Sequence, residues 1–141
     1  MILRFEYYLS KGVVKKCNKN CEKAKSLIKK ARKRIEVSQE IKIPSFRLEF
    51  AYEAIIEAIE ALLSVEGYKS YSHEADISFL RKVGFSEMVV LEVDRLRRKR
   101  HRSKYYGLEF SNNDANDAVR LAKKIMDDII LILKRKGCEV V

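Results

Sequence analysis

Apolar residues recur along most of this chain at spacings of three and four, which only an α-helix places on one face. The clearest stripe is Ala118, Leu121, Ala122, Ile125, Met126, Ile129, Ile132 and Leu133. Ser111 and Asp114 fit a capping box ahead of it and Gly137 a stop behind it, so a helix is expected over 112–136. The same reading gives helices over 2–12 (Phe5, Tyr8, Leu9), 18–38 (Cys21, Ala24, Leu27, Ile28, Ala31, Ile35) and 45–66 (Leu48, Ala51, Tyr52, Ile55, Ala58, Ile59, Leu62). Ser45 is the expected N-cap of the third helix and Gly67 its left-handed terminus. The width of its apolar face places that helix centrally. Ser72, with Glu74 and Asp76 in the first turn, opens a fourth helix to about Lys82. Gly84 breaks it, and Ser86 caps a fifth. One proline and five glycines argue against a turn-rich β fold. At 141 residues and 47% hydrophobic, the chain can bury one core. Without repeats or low-complexity segments, one domain over 1–141 is expected: an all-α, up-and-down bundle of four to six helices.

No run of apolar residues is long enough to span a bilayer, and the N-terminus lacks a signal-peptide cleavage pattern, so a cytoplasmic protein is expected. Cys17, Cys21 and Cys138 give no disulfide framework from their spacing. With two histidines in the chain, neither a zinc site nor a cofactor is expected. The net charge of +10 is unevenly spread: +9 over residues 1–44, −6 over 45–94 and +7 over 95–141. A fold that joins the two basic ends presents a polyanion-binding surface, although Lys-rich helix faces also serve solubility alone.

The densest cluster is RLRRKRHRSKYYG, Arg95 to Gly107, with seven Lys or Arg and one His before Tyr105 and Tyr106. On the fifth helix the apolar line runs Val89, Val93 and Leu96. Its next steps are Arg100 and Ser103, while Arg97, Arg98 and Arg102 are expected to point elsewhere. An arginine on that line must be paired, face a cleft or mark the helix end. A structural ion pair with a glutamate of the third helix would satisfy it. Arginine is also a rigid, permanently charged fork for phosphate, and histidine is the side-chain type that moves protons near neutrality. Tyr105 and Tyr106 offer flat faces for bases. Arg, His and Tyr without a carboxylate cluster suit binding of RNA, or metal-independent attack of a 2′-hydroxyl on the adjacent phosphate. His73, near a helix N-terminus, reads as a local structural residue.

The segments 51–80, ending EGYKSYSHEADISFL, 93–107 and 115–136 together resemble HEPN domains, in particular a small archaeal branch. The resemblance implies a symmetric dimer with the signature helices facing each other across a cleft. It further implies RNA or nucleotide as ligand and, in many members, ribonuclease activity without metal, with a nucleotidyltransferase-like antitoxin partner. The family motif is an arginine followed, after four to six residues, by a histidine. Two registers fit. In one, Arg100 is the arginine, His101 its polar neighbour, and Tyr105 stands where the histidine belongs. In the other, Arg95 pairs with His101. The first agrees with the core-facing line, but a tyrosine hydroxyl, with a pKa of about 10, is a poor base at neutral pH. The catalytic candidates are therefore Arg100, His101 and Tyr105, and the nucleic-acid contacts Arg95, Arg97, Lys99, Arg102, Lys104 and Tyr106. Three functions remain in competition: an RNA- or nucleotide-binding module, a metal-independent endoribonuclease toxin, and a non-catalytic protein partner.

Overall fold

The helical periods fold as six helices, seen in a computed structural model that describes residues 1–140. In chain order they are α1 (Phe5–Ser10), α2 (Cys21–Glu40), α3 (Pro44–Glu66), α4 (His73–Lys82), α5 (Glu87–Tyr106) and α6 (Asn112–Arg135). Two three-residue strands, β1 (Val14–Lys16) and β2 (Tyr68–Ser70), form a small antiparallel ribbon. The all-α bundle holds, with α3 at its centre. Leu48, Ala51, Tyr52, Ile55, Ala58, Ile59 and Leu62 of α3 are all buried, and α2, α4, α5 and α6 pack around it.

The local signals act as their chemistry requires. Ser72, Ser86 and Ser111 each accept a backbone N–H at the start of α4, α5 and α6, and Ser111 with Asp114 completes the capping box. Helix α3 departs from expectation at its start. Ile43 is its N-cap and Pro44 its first residue, where a missing N–H is no loss. Ser45 instead accepts the Phe110 N–H at 3.0 Å, tying the loop after α5 to α3.

The first helix is shorter than the 2–12 expected, because the chain beyond Ser10 turns into β1. In the ribbon Val14 pairs with Ser70, Lys15 with Lys69 and Lys16 with Tyr68. Gly67 makes the turn from α3 possible. Its φ is +83°, and a Cβ there would lie 2.9 Å from the Cys17 carbonyl oxygen.

The cysteines require a correction. Cys21, at the start of α2, is disulfide-bonded to Cys138, just beyond α6, with Cα atoms 5.7 Å apart across a sequence separation of 117. Spacing along the chain carries no trace of so distant a pairing. Cys17 is free and exposed. No helix among the described residues is long and apolar enough to cross a membrane.

Candidate nucleic-acid interface

Helix α5 divides its charged residues between two environments. Its inward line passes through buried Val93 and Leu96 and continues to Arg100 and Ser103, as periodicity requires. Arg100 Nη2 donates to Glu53 Oε1 at 2.5 Å, and Ser103 Oγ donates to Glu49 Oε2 at 2.9 Å. Glu49 and Glu53 lie one turn apart on α3, so this acidic edge receives the inward polar side chains of α5. The guanidinium carbon of Arg100 is 5.7 Å from the centre of the Tyr52 ring. Its Nε is buried and has no hydrogen-bond acceptor among the described residues.

The inward face is wider than the line predicted from the sequence. Val90 and Asp94 are also buried. Asp94 draws Arg97 inward: Arg97 Nε donates to Asp94 Oδ1 at 2.8 Å, and its guanidinium lies 3.8 Å from Glu74 of α4. Arg97 therefore does not point away from the bundle. Arg98 stays exposed, 3.6 Å from Asp94, and Lys99 reaches Asp114 of α6 at 3.4 Å.

Beneath Arg100, sequence reasoning missed a polar contact. The Tyr52 hydroxyl, in the core, is 2.9 Å from His73 Nδ1 at the start of α4. Burial holds the imidazole below its ordinary pKa, with Glu53 opposing and Arg100 and Arg97 reinforcing the shift. Burial likewise pushes the Tyr52 phenol up. Two neutral groups thus share this hydrogen bond at neutral pH, next to the Arg100–Glu53 pair. The capping signal at Ser72 places His73 at the start of α4. The partner of this histidine, 21 residues away, left no signal.

The outward side of α5 is different. His101, Tyr105 and Tyr106 are exposed and lie together, the His101 ring 4.8 Å from Tyr105 and 5.9 Å from Tyr106 between centres. Tyr105 is 60% and Tyr106 73% exposed. Lys104 Nζ lies 5.6 Å from the Tyr105 ring centre. Arg95, Arg102 and Lys104 are exposed and enter no ion pair among the described residues. Arg95 and Lys99 overlook an open groove of about 570 Å³ between α5 and α6, lined also by Leu96, Ala118 and Leu121. Consecutive residues on a helix diverge by about 100°. Arg100 accordingly turns to α3, whereas His101 and Tyr105 share the outward side. Among the described residues, no three His, Cys, Asp or Glu side chains are grouped to hold a metal.

The fold and this surface define a helical-bundle domain that exposes a basic, aromatic helix end. The HEPN domain model matches residues 17–133, and the chain belongs to that family. The match takes in α2 to α5 and nearly all of α6, and leaves α1, β1 and Cys138 outside it. No curated protein and no solved structure matches the chain.

Proposed function

We propose that this HEPN domain binds RNA through the outward side of α5, as a dimer that brings two such sides together. One observation carries the reading. His101, Tyr105 and Tyr106 lie exposed beside Arg102 and Lys104, which enter no ion pair among the described residues. Aromatic faces stack on bases without demanding a sequence, and unpaired cations displace counterions from phosphates. Arg100, Arg97 and Lys99 already hold carboxylates and act as supports for α5.

The test is fluorescence anisotropy with a labelled 20-nucleotide single-stranded RNA across a salt series. Tyr106→Ala is expected to weaken binding about tenfold. Arg102→Ala with Lys104→Ala should flatten the slope of log K against log salt by about 1.4. Binding indifferent to salt and to all three substitutions contradicts the proposal. A tight complex with a nucleotidyltransferase-like protein and no RNA binding would give this surface to a protein partner instead.

A cleavage reading is supported by a different pair, His73 and Arg100, which both lie against Tyr52. It predicts RNA cleavage in EDTA that is lost in Arg100→Ala and in His73→Ala or His101→Ala. RNA left intact by the folded wild type removes this reading.

A further inference from the structure

The outward face of the β1–β2 ribbon carries three side chains that packing does not explain. Lys15 and Lys69 stand directly opposite each other in the antiparallel register, and both are exposed while Val14 is buried. Like charges facing each other across two strands destabilise the pair. Neither lysine enters an ion pair among the described residues. Glu60 and Asp76 lie within electrostatic range of Lys69 without pairing with it. Tyr71, two residues beyond Lys69, is 66% exposed, and each lysine Nζ lies 5.9 Å from its ring centre.

The position of this ring is set by the fold. The Tyr71 N–H donates to the Val13 carbonyl at 3.0 Å, and Ser70 Oγ donates to the Ser72 carbonyl at 3.0 Å. Lys11, Lys16 and Lys19 are exposed on the flanking chain, and Lys11 Nζ sits 5.7 Å from the ring centre of a second partly exposed tyrosine, Tyr7. A mutually repelling lysine pair around a solvent-held aromatic ring suits an anionic polymer with flat faces. Phosphate would relieve the repulsion, and a base would cover the ring.

We infer that this ribbon face is a stacking platform for single-stranded RNA, with Tyr71 taking a base and Lys15 and Lys69 the flanking phosphates. The identity of the polymer rests on the function proposed above, but the platform uses no residue of α5. Tyr71 is two residues from His73, a reach of about 7 Å, and His73 meets Tyr52 beneath Arg100. Strand β1, which supplies Lys15, lies outside the 17–133 match, so the family assignment does not account for it.

The test uses the full chain and the same labelled single-stranded RNA, with a hairpin duplex of equal charge as comparison. Tyr71→Ala should weaken single-strand binding about tenfold and duplex binding far less. Lys15→Ala with Lys69→Ala should flatten the single-strand salt slope by about 1.4. The same double variant should retain the wild-type circular dichroism and a single cooperative melt, although it also removes Lys69 from beside Asp76 and Glu60. That result separates lost binding from lost folding. Normal binding by both variants, with loss in Tyr106→Ala, overturns the platform and leaves the α5 reading standing. Loss in the ribbon variants with Tyr106→Ala unaffected supports the platform and removes the α5 reading. No single-strand binding by the folded wild type overturns both.

Discussion

Asp76 shows how one side chain sets a pH dependence. It is 3% exposed, its Oδ1 has no hydrogen-bond partner among the described residues, and burial pushes its pKa up to about 7. Ser70 and Lys69 oppose that shift and Glu60 of α3 reinforces it. An unfolded aspartate titrates near pH 4. Between about pH 4 and 7 the folded chain therefore keeps a proton that the unfolded chain releases, so this group lowers stability as pH rises through that window. His73 has the opposite slope. Its depressed pKa means the unfolded chain takes up a proton first, so its contribution is lost as pH falls below about 6.5. Asp76→Asn should thus be more stable than wild type by about 2 kcal/mol at pH 8 and by much less at pH 4.5, measured by urea denaturation. An equal difference at both pH values would contradict this account. At this scale the sequence revealed the placement of Arg100, because three- and four-residue steps are local. It did not reveal which carboxylate Arg100 meets, nor that His73 bonds to Tyr52, because those contacts join helices.

Helix α3 carries a second pattern beneath its apolar one. Glu49, Glu53, Glu57 and Glu60 follow one another at helical spacing, and three of them hold polar groups from other elements. Ser103 meets Glu49, Arg100 meets Glu53, and Arg34 donates to Glu57 at 2.7 Å. The ladder lets α3, central because of its apolar face, also receive polar side chains from the helices around it. Helix caps at Ser72, Ser86 and Ser111 were legible because donor and acceptor sit within three residues. The ribbon was not, since three-residue strands are too short to display a period of two. The disulfide was not legible for the related reason that its halves belong to different ends of the chain. It anchors the segment after α6 to the start of α2. Reduction, or Cys138→Ala, should lower stability by about 2–4 kcal/mol through release of the long loop it closes. Thermal melts with and without reductant check this. Identical melting temperatures would show that the bond contributes nothing to folding.

At the scale of the molecule, charge is sorted by position. The acids of residues 45–94 match inward-facing cations such as Arg34, Arg97 and Arg100, and the excess of +10 is left on outward faces. Those faces are the outer side of α2, the ribbon and the end of α5. Among the described residues no lysine of α2 stands over an aromatic ring, and a solubility role accounts for these lysines. Near its start, α5 also exposes Met88 and Leu91, one turn apart, at 70% and 49%. Apolar groups there support the proposed dimer along α5. Leu91→Lys should shift the mass seen by light scattering from dimer to monomer. An unchanged mass would place the interface elsewhere.

If the outward end of α5 contacts RNA as proposed, ultraviolet crosslinking of a 4-thiouridine-labelled single-stranded RNA to the folded protein should modify it there. Identification of the modified peptides is expected to give adducts on His101, Tyr105 or Tyr106. Adducts confined to α2, or none above a denatured control, would contradict the proposal.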